Sequence, residues 1–362
     1  MSLMEPRSYV ATMLAGAAAG ALPRILTHPL DTCKARIQVR TPSASAKLRG
    51  GLIAELVHSA RSEGVRSLYR GFPTAFWGAA PAGCLYFGCY EACKDALSPY
   101  VGPAGSGSAA TAHLLAGLVA EAASCVLWVP IDVVKERLQV QSTLWKEAGA
   151  GTANANAGGA PPRGKSMLLY RGNVDAFASI ISNEGVRGLY RGYGATLLSF
   201  GPFSAIFFML NEQFKAAWVR WSGLDLQGKG PEALRYPTLC FASSGAAAGS
   251  IAAFVTNPMD MAKLRLQVQR GAIAANAANA AASTAAASAS ATANSATASS
   301  TTFSTSWPQY KSLLDGMTQI VRKEGAAALF KGAFARVAFQ APTTTIAITS
   351  FETLRLQFEK VV

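Results

Sequence analysis

The chain has 362 residues, a net charge of +13 from 33 Lys and Arg against 20 Asp and Glu, and 50% hydrophobic but only 15% charged residues. Soluble domains carry about 25% charged residues, so the polar covering is too thin for a water-exposed protein and the balance points to a membrane. The positive charge is scattered and forms no Lys/Arg run for nucleic acid; it suits an anionic membrane surface or an anionic solute.

The N-terminal MSLMEPRSYV matches neither a secretory signal nor an Arg-rich amphipathic transit peptide, which predicts no cleaved presequence. An apolar stretch rich in Gly and Ala follows at about 9–38, then a short amphipathic stretch at Leu52–Arg61 and a second apolar stretch at about 72–97. The same order recurs as 110–139, Val174–Ser182 and 193–219, and again as 237–268, Leu313–Val321 and 333–359. At about 1.5 Å per residue, each long stretch spans a hydrocarbon core of about 30 Å. The charges and prolines inside them are tolerated when helices line a shared water-filled cavity.

Sequence repeats underlie this order. Pro29-Leu-Asp31-Thr-Cys-Lys34-Ala-Arg36-Ile-Gln38 reappears as Pro130-Ile-Asp132-Val-Val-Lys135-Glu-Arg137-Leu-Gln139 and as Pro258-Met-Asp260-Met-Ala-Lys263-Leu-Arg265-Leu-Gln267. Each copy is followed by a second block: Glu63-Gly64 to Tyr69-Arg70-Gly71, Glu184-Gly185 to Tyr190-Arg191-Gly192, and Glu324-Gly325 to Phe330-Lys331-Gly332. The prediction is an all-α membrane protein with six transmembrane helices in three repeats, 1–100, 101–222 and 223–362, each with a short amphipathic surface helix. Low-complexity sequence at about 142–166 and at 271–306 reads as loops.

Proline removes a backbone hydrogen bond and bends a helix, so Pro29, Pro130 and Pro258 mark expected kinks. Asp and Lys three apart share a helix face, and three such helices around an axis can close a ring of ion pairs. The six cysteines and three histidines have no metal-like spacing and read as helix packing residues. No nucleophile is placed beside a base and no Walker-type loop occurs, which excludes an enzyme reading.

The three Pro-x-Asp-x-x-Lys-x-Arg motifs and the three Glu-Gly to basic-Gly blocks closely resemble the mitochondrial carrier family over essentially the whole chain outside the loops. The resemblance implies a six-helix barrel with pseudo-threefold symmetry in the mitochondrial inner membrane. It also implies alternating access to one central site, exchange of a small solute, a monomer, bound cardiolipin as the anionic lipid, and no cofactor or metal. By the family pattern a matrix gate pairs Asp31 with Lys135, Asp132 with Lys263 and Asp260 with Lys34, braced by Gln38, Gln139 and Gln267. A weaker cytoplasmic gate pairs Glu91 with Lys215, Glu212 with Arg355 and Glu352 with Lys94, and only Tyr90 supplies a hydroxyl brace. Arg70-Gly71, Arg171-Gly172, Arg191-Gly192 and Lys331-Gly332 are expected lipid headgroup sites, or turn glycines beside interfacial charge.

The family places solute contacts near Gly78, Ser199, Phe200, Phe339 and Gln340, with Tyr86 further along. None is charged, which disfavours dicarboxylates, and the signature of the ADP/ATP exchanger is absent. Arg24 lies five residues before Pro29 at membrane depth, where a planar fork suits phosphate. Similarity to nucleotide, coenzyme A and thiamine pyrophosphate carriers at this position favours a phosphate-bearing anion. Alternatively, Arg24 pairs with Glu121 or another acid and never touches solute; Glu121 itself could serve a structural hydrogen bond or a solute. The rival cargo is S-adenosylmethionine or another amino-acid-derived solute, and the rival class is a carrier-shaped receptor or scaffold.

Overall fold

The computed structural model describes residues 6–40, 51–97, 107–147, 170–222, 235–273 and 309–361. Six long segments carry the architecture. They are α1 (Pro6–Val39), α3 (Phe72–Leu97), α4 (Gly107–Glu147), α6 (Tyr193–Ser222), the pair α7 (Arg235–Val255) and α8 (257–273), and α10 (Ala333–Val361). Between the members of each pair lie the surface helices α2 (Gly51–Glu63), α5 (Asn173–Glu184) and α9 (Leu313–Glu324). Each long helix packs on the next in chain order, and α10 returns to α1, so the segments close into a ring.

Two boundaries differ from the sequence reading. α4 runs on to Glu147 and α8 to residue 273, so the loops proposed at 142 and 271 begin with helix instead. The extra turns are held by burial: Val140 and Leu144 of α4 and Val268 and Ala272 of α8 join Ala35 and Val39 of α1 and Leu264 in one apolar cluster. Helices from all three repeats meet there, and the cluster plugs one end of the ring. The remainder of both low-complexity stretches, 148–166 and 274–306, lies outside the described residues.

The prolines have different consequences. α1 continues through Pro29 and α4 through Pro130, whereas the third odd segment is interrupted at Thr256, two residues before Pro258. A proline leaves the carbonyl four residues earlier without its helical donor. Tyr69 donates its hydroxyl to the Ile25 carbonyl at 3.1 Å, and Tyr190 donates to the Val126 carbonyl at 3.1 Å, which supplies that donor in repeats 1 and 2. In repeat 3 the equivalent residue is Phe330, which has no hydroxyl. It packs its ring on Phe254 at 5.6 Å. The uncompensated proline coincides with the interrupted helix.

The surface helices bury one stripe: Ala176 and Ile180 in α5, and Leu313, Gly316 and Ile320 in α9. Glycine admits close approach at Gly71, Gly192 and Gly332, which have φ of 81°, 87° and 78°. A Cβ at Gly192 would lie 2.9 Å from Cγ of Gln267, and one at Gly332 would lie 3.0 Å from Cγ of Gln38. These glycines therefore seat the start of each even segment against the odd helix of the following repeat.

Candidate functional site

A cavity of about 480 Å³ occupies the centre of the ring. At its closed end, three ion pairs link each repeat to the next. Lys135 Nζ lies 3.2 Å from Asp31, Lys263 Nζ lies 3.1 Å from Asp132, and Lys34 Nζ lies 2.6 Å from Asp260. The three-residue spacing puts each Asp and Lys on the inner face of its helix, where the Lys turns to one neighbour and the Asp to the other.

The glutamines one turn further on are not equivalent. Gln139 donates to Asp31 at 3.1 Å and to the Thr32 hydroxyl at 3.2 Å. Gln38 donates to Asp260 at 3.4 Å and to Asn257 at 3.3 Å. Gln267 departs from the expected brace: both polar atoms of its amide are buried without a hydrogen bond. Its side chain lies instead against Gly192.

Below the ring runs a second set of contacts to which the sequence reading assigned no role. Arg36 pairs with Glu63 at 3.0 Å, and Arg137 and Arg265 form forked pairs with Glu184 and Glu324, with one arm of each at 3.0 Å. The Nε of each donates across to the next repeat: Arg36 to the Gln139 carbonyl at 3.1 Å, Arg137 to Gln267 at 3.3 Å and Arg265 to Gln38 at 3.2 Å. The signal was present in the repeated Arg and Glu, at fixed places in both motif blocks.

Arg24 lines the cavity wall. Its Nε donates to the Gly20 carbonyl at 3.1 Å and Nη1 to the Ala75 carbonyl at 3.3 Å, while the guanidinium lies 4.8 Å from the centre of the Trp128 ring. It forms no ion pair with Glu121. That carboxylate is almost buried, accepts the Cys125 thiol at 3.4 Å and does not line the cavity. A second guanidinium, Arg336, was missed from sequence. It reaches the Ala253 carbonyl at 2.9 Å, the Thr256 hydroxyl at 3.0 Å and Asp260 at 3.5 Å, and lies 5.7 Å from the Phe203 ring centre. Its anchor points surround the interruption in the third odd segment, two residues before the kink expected at Pro258.

Ser199, Phe200, Phe339 and Gln340 line the cavity, but Gly78 and Tyr86 do not. A Cβ at Gly78 would lie 2.4 Å from Cδ1 of Ile131, so that glycine serves the contact between α3 and α4. Tyr86 stacks on Tyr90 with ring centres 6.3 Å apart. Of the expected cytoplasmic gate, Lys94 lies over the Tyr90 ring at 6.0 Å and Lys215 over Phe241 at 5.5 Å. The side chains of Glu91, Glu212, Glu352 and Arg355 lie outside the described residues. Among the basic-Gly residues, Arg70 is 3.8 Å from Glu63 and Lys331 donates to the Arg40 carbonyl. Arg191 keeps a buried Nε without a partner. The Arg171 amide bonds Asp175 at 2.8 Å, beside Gly172 at the N-terminus of α5.

The family model for mitochondrial carrier protein matches residues 5–101, 106–221 and 235–361. Mitochondrial substrate carrier family protein E of Dictyostelium discoideum is 33% identical over 358 residues, covering 99% of each chain. The mitochondrial S-adenosylmethionine carrier protein of Danio rerio is 31% identical over 276 residues, covering 76% of this chain and 82% of its own. Mitoferrin of Dictyostelium discoideum is 28% identical over 352 residues, covering 96% and 94%. The threefold motif, the closed ring of helices and the matches along the whole chain have one reading: the protein belongs to the mitochondrial carrier family, as a multi-pass transporter of the mitochondrial inner membrane and not an enzyme.

Proposed function

We propose that the protein exchanges a phosphate-bearing anion, a nucleotide or phosphorylated cofactor, across the inner membrane by alternating access. The observation that carries this reading is Arg24. Its guanidinium is oriented by two backbone carbonyls and an aromatic face, and it pairs with no carboxylate among the described residues. A planar fork held in this way is pre-organised for phosphate oxygens. Arg336 adds a second positive group on the cavity lining, and Phe200 and Phe203 offer flat apolar faces for a base.

In this reading the three Asp–Lys pairs and the apolar plug beneath them form the matrix gate in its closed state. Desolvation offsets much of the Coulombic gain of a buried ion pair, so the ring can hold the end shut and still open when solute binding contributes. The pairs of Arg36, Arg137 and Arg265 with Glu63, Glu184 and Glu324 stay within their repeats, so opening has to break the ion pairs and the Nε–carbonyl bonds that cross between repeats. The pairs of Glu91, Glu212 and Glu352 would form the opposing gate. Arg70, Arg171, Arg191 and Lys331 beside helix starts would hold anionic lipid headgroups.

A second reading, transport of S-adenosylmethionine, is favoured by the names of relatives and by a carboxylate, Glu136, on the cavity lining that could meet a cationic group. Counter-exchange in cardiolipin-containing liposomes separates the two. Saturable exchange of ADP, coenzyme A or thiamine pyrophosphate, lost in Arg24→Ala, is the expected result. Uptake of S-adenosylmethionine indifferent to Arg24 would favour the second reading. No exchange by folded protein would favour a scaffold.

A further inference from the structure

One acidic residue on the cavity lining takes no part in the gate. At the position following each gate lysine, the three repeats carry Ala35, Glu136 and Leu264, and all three line the floor of the cavity. Threefold symmetry gives this level two apolar side chains and a single carboxylate. Glu136 forms no ion pair among the described residues, although the gate lysines form theirs with Asp31, Asp132 and Asp260. Its Oε2 is buried and accepts no hydrogen bond. The charges that face it are Lys263 and Asp260 from α8 and Lys135 and Asp132 from its own helix, while α1 contributes Ala35 at this level.

A carboxylate oxygen sealed from water without a donor is costly when ionised, and such a group is relieved by taking a proton. The sealed oxygen also limits what the partner can be. A solute cation could pair only with the lining oxygen of Glu136, whereas a proton taken up from cavity water there can be held by the carboxyl as O–H without a further partner.

We propose that Glu136 is a proton-binding site and that the carrier moves one proton with its cargo. With the matrix gate closed, cavity water on the cytoplasmic side delivers a proton to the Glu136 carboxylate, forming the O–H bond and cancelling one negative charge. When the ring of ion pairs opens, the same carboxyl faces matrix water, the O–H bond breaks and the proton leaves to that side. No oxidant or further reactant is needed. The proposal rests on alternating access at this cavity, and with an anionic cargo the proton offsets one of its charges.

The first test is infrared difference spectroscopy of the purified carrier in cardiolipin-containing membranes, titrated from acid to alkaline pH. The wild type should show a titrating protonated-carboxyl band that Glu136→Gln lacks. Glu136→Leu, which copies the residue of repeat 3, should lack it too and guards against a folding defect in either variant. Identical spectra for wild type and both variants would overturn the proposal. The second test follows ADP accumulation in liposomes under an imposed proton gradient. Where one proton enters with each ADP and the counter-solute leaves without one, each pH unit should raise wild-type ADP accumulation about tenfold at a fixed counter-solute ratio, and Glu136→Gln should lose that response. A variant that keeps the full response would also overturn the proposal. If ADP is not carried at all, the phosphate-bearing reading falls, and the infrared band alone upholds or overturns the proton site.

Discussion

Gln139 and Gln267 occupy the same motif position in successive repeats, yet only Gln139 has work for its amide. It donates to Asp31 and Thr32, so its loss removes hydrogen bonds to a charged and a neutral acceptor. Gln267 is fully buried with neither polar atom satisfied. A buried polar group without a partner costs about 1–3 kcal/mol, and a hydrogen bond to a charged group contributes about 1.5–3 kcal/mol. Methionine has a similar length and stays unbranched beside Gly192, so it isolates the polar contribution. Gln139→Met should lower the thermal unfolding temperature of the carrier in cardiolipin-containing detergent, and Gln267→Met should leave it unchanged or raise it. Equal losses in both would mean that the Gln267 amide is bonded in the working protein. The motif alone could not separate the two glutamines, because their difference arises from what the neighbouring helix presents and not from the motif.

Helix continuity through the prolines depends on a hydroxyl supplied from another element. Tyr190→Phe should remove the donor to Val126 and cost about 1 kcal/mol, and Phe330→Tyr should offer the third repeat the donor it lacks at Phe254. Thermal unfolding of the two variants should shift in opposite directions, and a stabilising Tyr190→Phe would refute the compensation. The surface helix α9 offers a pH-dependent case. Ser312 accepts the Asp315 amide at 3.2 Å, and the Asp315 carboxylate accepts from the Lys311 amide at 2.8 Å and from Gln319 at 3.1 Å. These donors hold the Asp315 carboxyl below its ordinary value. A lowered carboxyl stabilises the folded helix start above its unfolded value and loses that contribution as pH falls through the folded one. Amide exchange at the start of α9 should therefore quicken in acid for the wild type and be pH-independent in Asp315→Asn, beyond the intrinsic pH dependence of exchange. Such elements were largely legible in the sequence, since repeated blocks, amphipathic stretches and turn glycines are local signals. The extension of α4 to Glu147 was not, because an apolar plug between repeats is a tertiary fact; the break at Thr256 was only half legible, since Pro258 and Phe330 stand in the motifs but the bond of a tyrosine hydroxyl to the carbonyl ahead of each proline is seen only in the fold.

At the scale of the whole carrier, the closed end is a cycle in which every repeat holds the next through one ion pair and one Arg Nε bond. A cycle of this kind responds to the loss of a charge differently from a set of independent staples. Asp132→Asn leaves Lys263 without its carboxylate at a site where both side chains are largely buried, and breaking such a pair from one side costs about 3–5 kcal/mol. Lys135 also lies 3.7 Å from Asp132, so the same change removes support from the neighbouring link. Asp132→Asn should therefore lower both thermal stability and solute exchange, by shifting the carrier away from the state closed to the matrix. The double variant Asp132→Asn with Lys263→Met removes the stranded charge and should recover part of the stability, because replacing a whole buried pair by apolar groups is far less costly than breaking it. Exchange should not recover with it, since the cycle would still lack one link. Stability and exchange that return together would assign the pair to simple helix packing. A double variant no more stable than Asp132→Asn alone would show that the lysine had found another partner, and unchanged stability and exchange in Asp132→Asn itself would remove the gate from this end of the barrel.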